Sequence, residues 1–225
     1  MQSAKKISVE VKRTVGLDYL ESLPDGCGAG GKKHPLVIFL HGAGERGCDL
    51  EKVKVHGIPK LIEEKSALLS GYEFVGVSPQ CPEDMWWPLM GDEMDALIRY
   101  CIDELPVDTG RIYMTGLSMG GFGTWHFARR RPHLLAAIAP ICGGTKADGE
   151  LSAIKHIPAW VFHGAKDDVV ALAESACAVA KLNELGANVK FTVYPEANHD
   201  SWTETYNNPA FYEWMFAQHN ELFEF

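Results

Sequence analysis

The stretch Ile112-Tyr113-Met114-Thr115-Gly116-Leu117-Ser118-Met119-Gly120 decides how the rest of the chain is read. Its first four residues are β-branched, aromatic or apolar and read as a strand. Phe122 to Arg131 holds good helix formers, and Pro132 ends that run. Between the two, Gly116-x-Ser118-x-Gly120 forces a sharp turn with the Ser118 hydroxyl exposed at its tip. The glycines on either side let neighbouring backbone pass close by. A helix beginning at Ser118 also aims its free amide groups and positive dipole end at the same point. A Gly-rich turn without chemistry would look the same in isolation; the flanking strand and helix make nucleophilic catalysis the better reading.

Around this turn the chain alternates strand and helix. Ile7 to Thr14 and Leu17 to Leu23 read as an antiparallel pair turning near Gly16. Pro35 to Leu40 is a continuous apolar run, as expected of a strand buried on both faces. A helix is predicted over Ile58 to Ser70 and a strand at Phe74 to Val77. Met94, Leu97, Ile98, Cys101 and Ile102 give Asp92 to Leu105 helical periodicity. Strands follow at Leu135 to Ile141, Ala159 to Phe162 and Val189 to Tyr194. A helix over Ala171 to Leu185 is closed by Gly186, and a last helix spans Phe211 to Asn220. This order predicts a single α/β domain over residues 1–225, with a mostly parallel central sheet and helices on both faces.

Composition agrees. With 225 residues, 46% hydrophobic and 23% charged, the chain can bury one substantial core. A net charge of −9 argues against a basic nucleic-acid surface. No apolar run is long enough to span a bilayer, and no apolar stretch follows Lys5-Lys6, so a cytoplasmic location is expected. The six cysteines are widely spaced without a Cys-x-x-Cys pair, which predicts free buried thiols and no metal site.

In parallel α/β sheets ligands sit at the carboxyl ends of strands. Three polar segments fall there. His41-Gly42-Ala43-Gly44-Glu45-Arg46-Gly47 follows Leu40, His163-Gly164-Ala165-Lys166-Asp167-Asp168 follows Phe162, and Pro195-Glu196-Ala197-Asn198-His199-Asp200 follows Tyr194. Serine, aspartate, histidine is the chain order of triads on this architecture. A serine hydroxyl needs an adjacent base, a neutral histidine supplies one, and a carboxylate fixes its tautomer. Ser118 is therefore the candidate nucleophile and His199 the candidate base. The carboxylate is Asp167, with Asp168 as its rival; Asp200 is too close to His199 in sequence to turn back onto its ring. His41 and His163 read as buried residues that organise their loops, and the other six histidines as surface or packing residues.

Gly42-x-Gly44-x-x-Gly47 also matches a dinucleotide fingerprint, with Glu63 and Glu64 downstream. That fingerprint should open a helix at once. Here the first cap is Asp49 or later, so the glycines form a free loop and no nicotinamide cofactor is expected. Such a loop can aim a backbone N–H at a developing oxyanion. Ala43 and Met119 are the expected pair, with Gly42 and Gly44 as alternatives to the first.

Phe39 to Gly47, Ser78-Pro79-Gln80-Cys81-Pro82, Thr115 to Gly121 and His163 to Asp167 together resemble the α/β-hydrolase superfamily. More narrowly they resemble its phospholipase/carboxylesterase and predicted-peptidase branch, with its feruloyl-esterase-like and polyhydroxybutyrate-depolymerase-like members. The similarity runs from about Val11 to Trp202. It implies an aspartate three residues after the His-Gly glycine, which selects Asp167, and a last histidine at His199. No long insertion separates Ile141 from Ala159, where many such hydrolases carry a lid; an open site is expected. Trp86, Trp87 and Trp202 are candidate walls of an acyl or aryl pocket, although each also fits a packing role. Glu45 and Arg46 read as an ion pair fixing their loop or as substrate contacts. The combined expectation is a serine carboxylesterase acting on small-molecule esters with short or aromatic acyl groups, without a cofactor. A thioesterase or peptidase using the same triad and a non-catalytic binding protein are the competing readings.

Overall fold

The computed structural model describes residues 2–10 and 12–224. Seven strands form one sheet: β1 (Tyr19–Ser22), β2 (His34–Leu40), β3 (Val75–Pro79), β4 (Val107–Leu117), β5 (Ala137–Ile141), β6 (Ala159–Gly164) and β7 (Val189–Tyr194). Their spatial order is β1-β3-β2-β4-β5-β6-β7. Only β1 runs antiparallel, with Tyr19 opposite Pro79 and Ser22 opposite Gly76.

Six helices cover the sheet: α1 (Gly57–Glu63), α2 (Gly91–Glu104), α3 (Met119–Arg130), α4 (Leu172–Glu184), α5 (Trp202–Tyr206) and α6 (Pro209–Phe216). Strand β2 shows why there are two layers. It is buried at every position, and its alternating side chains point to opposite faces. Leu36, Ile38 and Leu40 pack in the core that holds Met94 of α2, Trp125 of α3 and Leu182 of α4. Val37 and Phe39 pack in the core that holds Ile58 of α1, Tyr206 of α5 and Phe211 of α6. Each fully buried Phe or Leu contributes about 1.5–3 kcal/mol of transfer free energy.

The sheet matches the predicted architecture, with four local differences. Ile7 to Thr14 does not form a strand where it is described; Val11 lies outside the described residues. Ile7 and Val9 are exposed, so the alternation there has no core to face. The single strand of this region is β1, which pairs with β3 and not with the segment before it. The helix predicted to Ser70 stops at Glu63, where Lys65 takes a positive φ of 50°, and a short 3₁₀ turn covers Ala67–Leu69. Residues after β7 make two short helices, because Pro209 starts α6 with Asn208 capping it through Ala210 N–H. The cysteines are all unpaired, but Cys48 and Cys177 are exposed and Cys27 is half-buried.

Strands β3 and β4 leave β2 on opposite sides. The carboxyl ends of β2 and β4 therefore flank the point where strand order reverses, the place at which open α/β sheets bind ligands. Between β5 and β6 the chain runs through one 3₁₀ stretch, Gly149–Ile154.

Candidate active site

Ser118 joins β4 to α3 and adopts φ 52°, ψ −115°, a strained conformation for a residue with a side chain. Its backbone is over-determined. Ser118 N–H donates to Ile141 O at 2.9 Å. A Cβ on Gly120 would lie 1.9 Å from Leu40 O, and one on Gly116 would lie 2.6 Å from it. The end of β2 thus presses into the turn, and only glycine fits at either position.

His199 sits in the loop after β7. Its Nε2 lies 2.9 Å from Ser118 Oγ and its Nδ1 lies 2.8 Å from Asp167 Oδ2. With Asp167 as a carboxylate, Nδ1 carries the proton and Nε2 is left to accept one from the hydroxyl. Asp167 Oδ1 accepts from the amides of Val169 and Val170, both at 2.9 Å. Burial pushes the Asp167 carboxyl up, but the bond to His199 and these two amides outweigh it and hold the group below its usual range. Its side chain is 0% exposed, whereas Asp168 is exposed. Asp200, just before α5, accepts from Thr203 N–H at 2.9 Å. Of the three candidate carboxylates, Asp167 is the one that meets His199.

The loops carrying Asp167 and His199 are stitched together through their main chains. Ala165 N–H donates to Tyr194 O at 2.9 Å and Lys166 N–H to Ala197 O at 3.0 Å. His163 supports the same carboxylate from below. Its Nε2 lies 3.2 Å from Asp167 Oδ2 and 2.9 Å from Val170 O, while its Nδ1 pairs with Ser175 Oγ at 2.8 Å. It is fully buried, in keeping with a loop-organising role.

Ala43 and Met119 each begin a helical turn, so neither N–H has an intrahelical acceptor. The loop holding Ala43 leans on the serine turn: a Cβ on Gly42 would lie 2.8 Å from Leu117 Cδ1. The loop is held by polar contacts on several sides. His41 Nδ1–H donates to Gly42 O at 2.6 Å, and its Nε2 accepts from Cys81 N–H at 3.0 Å. Burial drives the His41 pKa down to about 4, against the opposing bond to Gly42, so the ring is neutral at physiological pH. Gln80 Nε2 donates to Glu45 O and Asp49 O, each at 2.8 Å. Arg46 reaches Ala43 O at 3.0 Å and Met85 O at 3.4 Å. Among the described residues no ion pair joins it to Glu45. Asp49 caps the 3₁₀ stretch Leu50–Val55 through Glu51 N–H; the glycine loop itself is not wholly free, as it holds the short 3₁₀ turn Ala43–Glu45.

The three tryptophans separate. Trp87 is only 2% exposed and donates Nε1–H to His41 O at 2.9 Å. It braces the glycine loop from within, which corrects the expectation that it lines a pocket: burying the ring and satisfying its N–H leaves no face for a ligand. Trp86 is 48% exposed and lies under the Arg46 guanidinium at 5.2 Å. Trp202 meets the His199 ring edge to face at 5.3 Å and the His56 ring at 5.4 Å, so it packs behind the candidate base. Neither the Gln80 brace nor the Trp87 brace has a signature in one sequence, because each joins segments distant along the chain; the Trp202 contact with His199 is local, three residues along. Cys142 also approaches: its Sγ, Asp167 and His199 lie within 4.8 Å of one another. Burial pushes that thiol up to about 12, so without a bound cation it stays protonated.

A model of the dienelactone hydrolase family matches residues 83–219. This chain belongs to the dienelactone hydrolase family. The match takes in Ser118, Asp167 and His199 and more than half of the chain. Within a bifunctional acetylxylan esterase/xylanase, XynS20E of Neocallimastix patriciarum, 141 residues are 29% identical, covering 60% of this chain and 20% of that protein. The chain thus spans about a fifth of that relative's length. Among solved structures, a thermostable esterase is similar at 35% identity and a TM-score of 0.82, over 91% of this chain and 60% of the other. The feruloyl esterase module from Clostridium thermocellum, solved with sinapinate, has a TM-score of 0.69 at 16% identity, over 92% of this chain and 84% of that one. The last likeness establishes the α/β-hydrolase fold.

Proposed function

We propose that this member of the dienelactone hydrolase family is a serine carboxylesterase that hydrolyses esters with short or aromatic acyl groups through an acyl-enzyme. One observation carries the reading: an unbroken line of contacts from Ser118 Oγ through His199 to Asp167, at 2.9 and 2.8 Å. Family membership and the esterase relatives support ester hydrolysis, and the XynS20E name supports a small acyl group such as acetyl.

In this reading Ser118 Oγ attacks the ester carbonyl carbon while its proton passes to His199 Nε2. Asp167 keeps Nδ1 protonated and stabilises the imidazolium that results. The carbonyl oxygen becomes an oxyanion held by the N–H groups of Ala43 and Met119. Collapse breaks the bond to the alcohol oxygen, which leaves with the proton from His199. A water molecule then gives His199 a proton as it attacks the acyl-enzyme; Ser118 recovers that proton when the acid departs. No group outside the chain other than water takes part. Trp86 walls the acyl side in this reading, which its half-exposed ring beside the glycine loop supports.

The test is hydrolysis of p-nitrophenyl acetate and butyrate by the wild type and Ser118→Ala. Loss of about 10⁴-fold or more in kcat is expected, together with fluorophosphonate labelling of wild type only. Equal rates in the two proteins would overturn the proposal.

A further inference from the structure

Three ligand atoms of different chemistry meet at the candidate triad. The Cys142 sulfur, an imidazole nitrogen of His199 and a carboxylate oxygen of Asp167 all lie within 4.8 Å of one another. Among the described residues no other group of three His, Cys, Asp or Glu does so. No spacing motif announces this cluster, because Cys142 follows β5, Asp167 follows β6 and His199 follows β7. Three points so placed lie within about 2.8 Å of a common centre. Zinc holds O, N and S ligands at about 2.0–2.3 Å, so each donor needs to move by little more than half an ångström.

The surroundings of the sulfur fit the same reading. Cys142 is fully buried and takes a positive φ of 40°, a conformation that a residue with a side chain keeps only where its surroundings enforce it. Its N–H donates to Phe162 O at 2.9 Å. Ser201 is 0% exposed, and its Oγ has no hydrogen-bond partner. A buried hydroxyl in that state is destabilising until something takes its proton. That hydroxyl and the Ser118 N–H both act on the Cys142 sulfur against the effect of burial. Both serve a thiolate better than a thiol, and a thiolate in this place needs a cation beside it.

We infer that Cys142, His199 and Asp167 form an inhibitory site for a thiophilic divalent cation, zinc or cadmium. Asp167 Oδ2 lies 2.8 Å from His199 Nδ1, so the cation takes the place of the proton between them. The thiol proton leaves to solvent. The Nδ1 proton is given up and one is taken at Nε2, so the ring stays neutral, its tautomer inverts and no electron moves. Nε2, 2.9 Å from Ser118 Oγ, then donates where it had accepted, and the serine loses its base. Ser201 donates to the metal-bound thiolate. A thiolate ligand selects zinc or cadmium over magnesium or calcium. Cys142 and the Asp167 side chain are 0% exposed, so the cation enters only as the loops part, and inhibition sets in slowly. The loss of activity rests on the serine esterase reading; the binding of the cation does not.

The test uses the chain carrying Cys27→Ser, Cys48→Ser and Cys177→Ser, since those thiols are exposed or half-buried. Cd²⁺ should inactivate its p-nitrophenyl acetate hydrolysis over time, EDTA should restore it, and Mg²⁺ should leave it unchanged. Inhibition is read against the same protein without Cd²⁺. Cys142→Ala should raise the Cd²⁺ needed for half-inhibition about 100-fold, and Ser201→Ala about tenfold. In the same background Ser118→Ala should show the ultraviolet charge-transfer band of a Cd–thiolate bond, and adding Cys142→Ala should remove it. This second arm supports the site even if the esterase reading fails, and with Ser201→Ala it decides the matter should Cys142→Ala not fold. Half-inhibition unmoved by either variant overturns the assignment. So does the absence of the band in Ser118→Ala, or full activity at Cd²⁺ concentrations that saturate the band.

Discussion

The strands β2 and β6 both end in a buried His-Gly pair, and the two pairs work differently. After β2, both ring nitrogens of His41 bond to backbone, its Nδ1–H holding Gly42 O and its Nε2 receiving Cys81 N–H, with the Trp87 ring edge to face at 5.0 Å and the Glu45 carboxylate no nearer than 4.0 Å. After β6, His163 faces a carboxylate, with Nε2 3.2 Å from Asp167 Oδ2. The first histidine fixes amides that would meet a developing negative charge. The second helps fix a negative charge already present. The same dipeptide at the same kind of strand end takes its role from the partners that the next loop supplies, not from its own identity.

The comparison breaks most sharply at the carboxylate. Asp167→Asn should lose about 10⁴-fold in kcat on p-nitrophenyl acetate, by disturbing the His199 tautomer. Asp168→Asn, on the exposed side of the same turn, should stay close to wild type. Equal losses would mean that the β6 loop does not distinguish its two aspartates. At the β2 end, His41→Gln should cost about 10²-fold in kcat with little change in KM, the scale of a weakened oxyanion donor. A raised KM with unchanged kcat would contradict that role.

The neutrality of His41 gives a measurement of stability. Its pKa is about 4 in the folded chain against an ordinary 6.5. The unfolded chain therefore binds the extra proton between these values, so the native state weakens as pH falls from 6.5 to 4. The contribution is fully present above 6.5. The expected loss is about 3 kcal/mol, read by urea unfolding across that window, and it should disappear in His41→Gln. Asp167, held low, loses its contribution only below its ordinary 3.8. A smaller loss is expected from His163→Gln, about tenfold in kcat, because Asp167 keeps its two amide donors and His199. A loss as large as that of Asp167→Asn would make His163 an equal partner in the site.

Much of this was legible from residues. The Gly116 to Gly120 turn was readable because its strand, its glycines and its helix are contiguous, and local sterics leave few alternatives. The buried strand β2 was readable because a parallel strand covered on both faces needs an unbroken apolar run. Asp167 and Asp168 were not separable by residue type. What separates them is the direction each side chain takes from a turn, with Asp167 inward to two amides and His199. Ile7 to Thr14 alternates like a strand, yet alternation records only a capacity to bury one face, and Ile7 and Val9 are exposed. Trp87 carried the composition of a pocket wall and proved to be a brace, since its role depends on His41, 46 positions earlier in the chain.

The main-chain stitching between the β6 and β7 loops has a consequence for how the site comes apart. Asp167 and His199 ride on one body, joined through Ala165 to Tyr194 and Lys166 to Ala197. Ser118 rides on another, anchored to Ile141 of β5. Ile141 in turn pairs with Phe162 of β6, so both parts hang from one sheet. A shift of the β6 and β7 loops carries Asp167 and His199 together, and the contact it changes is the one from His199 to Ser118.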